Sequence, residues 1–133
     1  MSVQNGKNAW REVKYSEKFS NAFRGLRVFS QTTRNLFIHI IVAVVVIILG
    51  FYFKIANTEW AMLVFAIGLV FISEAFNTAI EIDIDLTSPE FHPYARDTKD
   101  VAAGAVLLSV FTAVIIGLVI FLPKILQIMQ SSY

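Results

Sequence analysis

Four polar residues near the end of a long apolar stretch are placed to do chemistry together. Glu74, Asn77, Glu81 and Asp85 lie in the run ISEAFNTAIEIDID, at positions i, i+3, i+7 and i+11. On a helix of about 3.6 residues per turn this spacing stacks them in one stripe, with Thr78 on its border. Phe76, Ile80 and Ile84 point elsewhere. No Lys or Arg falls between Lys54 and Arg96, so the stripe lacks the interspersed cations of an ordinary solvated face. Each carboxylate inside a bilayer costs roughly 2.5–3.5 kcal/mol on insertion scales, so the row should face a protein-lined polar cleft. Three readings suit such a cleft. One is a proton or cation path. Another is a magnesium site, in which one or two carboxylates share the ion with substrate phosphates. The third is a structural seam between subunits. Neither a Walker GxxxxGK(S/T) motif nor a glycine-rich loop is present, so no standard ATP scaffold is on hand. Spacing alone leaves these readings open.

The composition says what surrounds the stripe. The chain has 133 residues, enough for one domain, with 56% hydrophobic and 16% charged residues. Its mean hydropathy is +0.65. Soluble domains are nearer a quarter charged, so lipid is the expected solvent. A net charge of +1 offers no basic field for nucleic acid. With no cysteine, disulfides, thiolate nucleophiles and Cys metal sites are excluded. The first thirty-five residues are polar and charged, without the apolar core of a cleavable signal peptide.

The expected fold is an all-α membrane protein: one amphipathic surface helix and three transmembrane helices in a single domain, residues 1–133. Met1 to Lys7 reads as a polar tail. Over residues 8–34, Trp10, Val13, Phe19, Phe23, Leu26 and Phe29 recur at helical steps opposite Arg and Lys, as in a helix lying in the membrane interface. Gly25 is a candidate break in it. Residues 36–53 form an uninterrupted apolar run just long enough to span. His39, about one turn inside, reads as a structural residue near the headgroups. A polar turn, KIANTE, leads to the second span, 60–81, anchored by Trp60. A loop is expected over 82–100, with a helix-start signal at Thr87-Ser88-Pro89-Glu90 and a restart at Pro93. The third span, 101–122, opens on Ala102-Ala103-Gly104-Ala105, small residues that permit close helix approach, and Pro123 should end it. Seven of the eleven Lys and Arg precede Leu36 and two lie in 82–100. The positive-inside rule therefore puts the N-terminus and that loop in the cytoplasm. Three spans are too thin to bury the stripe alone, which suggests an oligomer.

The residues also carry a resemblance. Glu74, Asn77-Thr78-Ala79-Ile80-Glu81, then Asp85, His92, Ala95, Lys99-Asp100 and Ala102-Ala103-Gly104-Ala105-Val106 resemble the signature of the small bacterial integral-membrane lipid kinases. That family holds the prokaryotic diacylglycerol kinases and the undecaprenol kinases. The resemblance covers about residues 19–122. E-x-x-N-(S/T)-A-(I/L)-E with a downstream K-D is its specific element, and the SPEFHP and KDVAAGAVLL wording is closer to the undecaprenol kinase branch.

That resemblance implies a homotrimer in the bacterial inner (plasma) membrane, with composite sites at subunit interfaces near the cytoplasmic face. It implies phosphorylation of a lipid hydroxyl by ATP with Mg²⁺. Undecaprenol is the expected acceptor, diacylglycerol the alternative, and a non-catalytic lipid-binding or ion-conducting oligomer the reading outside enzymology. By position, Glu74 would be the general base and Glu81 would hold Mg²⁺. Asn77 would bond near the transferring phosphoryl group, and Asp85, Lys99 and Asp100 would contact the nucleotide. Such chemistry needs positioning and charge neutralisation more than covalent catalysis. Two departures stand in the segment Thr33-Arg34-Asn35-Leu36-Phe37-Ile38-His39. Thr33 replaces the family's second metal-binding glutamate and Phe37 a basic residue, while Asn35 and His39 match. Thr supplies only a neutral oxygen, so magnesium binding should be weaker unless another group, such as Gln31 or Glu17, compensates.

Overall fold

The computed structural model describes residues 15–131, all in helices and short connections. The expected tail at residues 1–7 and the first turns of the surface helix, residues 8–14, lie outside the described residues. Four helices follow one another: α1 (Tyr15–Thr32), α2 (Leu36–Tyr52), α3 (Asn57–Thr87) and α4 (Pro93–Ser131). The chain divides into two compact units, Met1–Thr32 and Thr33–Tyr133. In the first, α1 is unbroken at Gly25 and leaves Phe19, Phe23 and Leu26 exposed.

In the second unit, α3 and α4 are each long and apolar enough to cross a membrane. At 17 residues, α2 is at the short end of the roughly 17–25 that a span requires. Large apolar side chains such as Ile48, Phe65, Leu108 and Ile115 are exposed along all three. Water would not tolerate so continuous an apolar surface, whereas lipid does.

α3 and α4 run antiparallel, tied at one end by Glu59 and Lys124 (3.0 Å) and at the other by Asp85 and Lys99. At the Glu59 end, Ile55, Leu63, Ile120 and Phe121 form the buried core, with Leu49, Phe53 and Trp60 packed on it. Gly50 lies against the Trp60 ring, and a Cβ there would stand 2.7 Å from Trp60 Cη2. The turn into α3 is made by Lys54 at φ 50° and by Ala56, whose N–H donates to Glu59 Oε2 (2.7 Å). That is half of a capping box.

Several boundaries differ from the expectations. The polar stretch 82–100 is mostly helix, because α3 continues to Thr87 and α4 begins at Pro93, leaving only residues 88–92 between them. The start signal at Ser88-Pro89 is not used. His92 caps α4 instead: its carbonyl accepts from Arg96 N–H (3.1 Å) and its Nδ1 from Tyr94 N–H (3.3 Å). Pro93 then takes the first helical position, where its missing N–H costs nothing. Pro123, expected to end the third span, does not end the helix, since α4 runs through it to Ser131. A proline forfeits one helical bond, a loss that apolar spans commonly absorb. Of the small residues, only Ala102 is buried against the rest of the unit. Ala103 and Ala105 are exposed, and a Cβ on Gly104 would touch nothing.

Candidate functional site

The expected stripe is buried at one end and exposed at the other. Glu74 and Thr78, one turn apart, are buried at 3% and 5% exposure. Glu81 and Asp85, further along α3, are exposed. Eleven residues turn a helix only about 20° beyond three full turns, so the row keeps one face. What changes is its cover, because the start of α2 lies against Glu74 and Thr78, and no hydrogen bond or ion pair from α2 reaches Glu81 or Asp85 among the described residues.

The buried half meets the start of α2. Thr33 and Thr78 share a hydroxyl–hydroxyl hydrogen bond of 2.8 Å. His39 Nε2 stands 3.9 Å from Glu74 Oε1, close enough to attract but too far for a hydrogen bond. Phe71, one turn before Glu74, meets the His39 ring edge-on at 6.4 Å. Thr33 is thus engaged with Thr78, which accounts physically for a neutral residue at that position. His39, expected as a structural residue near the headgroups, lies beside the buried carboxylate.

In the outer half, Asn77 Nδ2 donates to Glu81 Oε1 (3.0 Å). Asn77 Oδ1 is buried and has no partner among the described residues. A buried amide oxygen without a donor or cation costs about 1–3 kcal/mol, so this atom is suited to a ligand. Asp85 is joined to Lys99, Arg96 pairs with its neighbour Asp97, and Asp100 is exposed. Glu17 and Gln31, both in the first unit, are exposed.

Among the described residues, no three His, Cys, Asp or Glu side chains converge as metal ligands. The donors present are the Glu81 carboxylate and the orphaned Asn77 oxygen. That set fits Mg²⁺, which takes one or two protein carboxylates and fills its remaining positions with phosphate and water.

An apolar groove of about 300 Å³ opens among α2, α3 and α4. Val42, Val70 and Val114 are typical of its walls, and His39 is its one ionisable lining residue. Glu74 itself does not line the groove, but its carboxylate stands 3.9 Å from the His39 ring that does. Sequence reasoning missed both the groove and the His39–Glu74 approach. The only available signal was the i, i+4 spacing of Glu74 and Thr78, which sets their shared face but not what covers it.

Comparison with known proteins bears on the same residues. The family model described as prokaryotic diacylglycerol kinase matches residues 20–121. The undecaprenol kinase of Bacillus subtilis is 40% identical over 112 residues, covering 84% of this chain and 91% of that protein. A diacylglycerol kinase of Synechocystis is 38% identical over 125 residues, 92% of this chain and 71% of that one. A diacylglycerol kinase of Helicobacter pylori is 37% identical over 79 residues, 59% of this chain and 62% of that one. With the family model spanning most of its length and the buried and exposed halves of the α3 row both inside the match, this chain belongs to the prokaryotic diacylglycerol kinase family of membrane lipid kinases.

Proposed function

We propose that this protein transfers the γ-phosphoryl group of ATP to the hydroxyl of a long-chain isoprenoid alcohol such as undecaprenol, with Mg²⁺ as the metal. One observation carries the reading: a carboxylate 3% exposed stands 3.9 Å from His39, which lines an apolar groove, and exposed polar groups lie further along the same helix. A greasy alcohol and a water-soluble nucleotide need these two environments side by side.

In this reading Glu74 takes the proton of the lipid hydroxyl as its oxygen bonds to the γ-phosphorus. The bond from that phosphorus to the β–γ bridging oxygen breaks, and ADP leaves with the bridging oxygen. Glu81 and the Asn77 oxygen would hold Mg²⁺, whose charge offsets that of the phosphates. Lys99, positioned by Asp85, faces the nucleotide with Asp100. Thr33 keeps its bond to Thr78, so the metal has one carboxylate fewer than the family pattern supplies.

The undecaprenol preference rests on the wording of the 88–108 stretch and on the Bacillus subtilis relative, whose match covers 91% of that protein. Diacylglycerol is the second reading, favoured by the Synechocystis relative that spans 92% of this chain. A non-catalytic or ion-conducting role has only Thr33 behind it. We also read the protein as a homotrimer of three-span subunits in the bacterial inner membrane, with α1 in the interface and the N-terminus cytoplasmic. The asymmetry of Lys and Arg supports the orientation. The exposed Glu81 and Asp85 support further subunits as the missing wall.

The deciding assay incubates purified protein with labelled ATP, Mg²⁺ and a panel containing undecaprenol and diacylglycerol. Higher kcat/KM for the prenol is expected. A higher value for diacylglycerol would transfer the assignment to the second reading, and no transfer to any lipid by well-folded protein would refute a kinase.

A further inference from the structure

Gly117 is among the residues that line the groove, and we take its level as the groove's floor. Seven residues separate His39 from Val46 on α2, and seven separate Val110 from Gly117 on α4, so the groove runs roughly 10 Å along the helices. His39 and Phe71 mark its polar end. Val46, Leu63 and Gly117 mark the deep end, next to the buried core at Leu63 and Ile120. A Cβ built on Gly117 would meet no atom within 4 Å. Glycine costs a helix about 1 kcal/mol relative to alanine. Nothing packs against this one to require it, and what its missing side chain leaves behind is space in the groove.

The volume can be read as chain length. An apolar cavity of about 150 Å³ accepts a benzene ring, so 300 Å³ accommodates about a dozen carbon atoms, between two and three isoprene units. A hydrocarbon chain in the groove has its head at His39, beside Glu74.

Resting on the kinase reading above, we infer that the groove seats the segment of the acceptor's chain nearest its hydroxyl, and that Gly117 sets how many carbons it accepts. Gly117 is a specificity-determining position. It touches no reacting atom, yet it decides how much of the chain can lie against protein when the hydroxyl reaches Glu74. Carbons beyond the floor lie in the bilayer and add nothing to discrimination.

The test is a ladder of prenols of one to six isoprene units, with kcat/KM measured for wild type, Gly117→Val and Gly117→Phe in the same detergent. Wild type is expected to gain with each added unit and to level off between two and three. In Gly117→Phe the gain stops after one unit. Discrimination for the longer alcohols then falls by about tenfold or more, the usual worth of a displaced hydrocarbon group in an apolar pocket. KM for ATP stays at its wild-type value. Gly117→Val, which adds fewer atoms, falls between the two and keeps the test decisive if the phenylalanine variant does not fold. The same ladder in both proteins, or a uniform loss at every length, would overturn the inference.

If prenols are not phosphorylated but diacylglycerol is, the acceptor reading fails on its own. Monoacylglycerols of graded chain length then test the groove in the same way. Should no lipid be turned over, a long-chain alcohol with a diazirine within its first two isoprene units replaces the kinetics. Photolabelling of α4 around Val114–Gly117 in wild type, lost in Gly117→Phe, supports the groove. Equal labelling by a diazirine phospholipid would mean bulk lipid only and would refute it.

Discussion

Replacing Glu74 with glutamine separates the proposed base from everything else at the site. The side chain is 5% exposed, and its basic neighbour His39 is 3.9 Å away, so the isosteric amide severs no hydrogen bond among the described residues. Folding should be little affected. A positioned general base is worth about 10²–10⁴ in rate, or about 2.7–5.4 kcal/mol of barrier at about 1.36 kcal/mol per decade. Nucleotide binding should hardly change. Asp85 lies eleven residues further along α3, roughly 16 Å away along the axis, and sites that far apart couple by no more than about 0.5 kcal/mol. The measurements are kcat from ADP release in mixed lipid–detergent micelles and the ATP Kd from equilibrium dialysis. A kcat within about threefold of wild type would remove Glu74 as the base. An ATP Kd that rose as far as kcat fell would place the carboxylate at the nucleotide instead.

Glu81→Gln removes the one carboxylate beside the Asn77 oxygen; transfer should be abolished at ordinary Mg²⁺, and a full rate would contradict the metal assignment. Thr33→Val leaves the buried Thr78 hydroxyl without its partner, at a cost of about 1–3 kcal/mol; Tm should fall for valine and recover for Thr33→Ser, and equal Tm values would mean that the bond contributes nothing. Thr33→Glu asks whether the absent carboxylate limits turnover: a large gain means that the metal site is impaired without it, and no change means that Glu81 and Asn77 suffice. Gly50→Ala drives a methyl to 2.7 Å from Trp60 Cη2; overpacking of about 1–3 kcal/mol outweighs the helix gain of at most about 1 kcal/mol, so thermal stability should drop, and an unchanged Tm would show that Trp60 swings aside freely.

Much of this molecule was legible in residue order. Apolar run lengths give the helices, and the absence of Lys and Arg between residues 54 and 96 marks the α3 row as something other than a solvated face. The boundaries were less legible where two signals competed. Ser88-Pro89 and His92-Pro93 are both plausible helix starts, and the second is used because the His92 ring can accept the Tyr94 N–H. Pro123 is a breaker in local terms, yet α4 continues past it, and Lys124 beyond it pairs with Glu59.

The sequence by itself determined the helical class, the membrane as solvent and the set of polar residues on α3, because periodicity and composition are local properties, and its motifs carried the family resemblance. Only the tertiary structure decided where the row is covered, with Glu74 and Thr78 buried against His39 and Thr33 while Glu81 and Asp85 are exposed. It also decided that an apolar groove is lined by His39, the neighbour of Glu74. The partners in those contacts are 35 and 45 residues apart in the chain. Which helix faces cover one another over such separations depends on the packing of whole side-chain surfaces, and no local spacing encodes it.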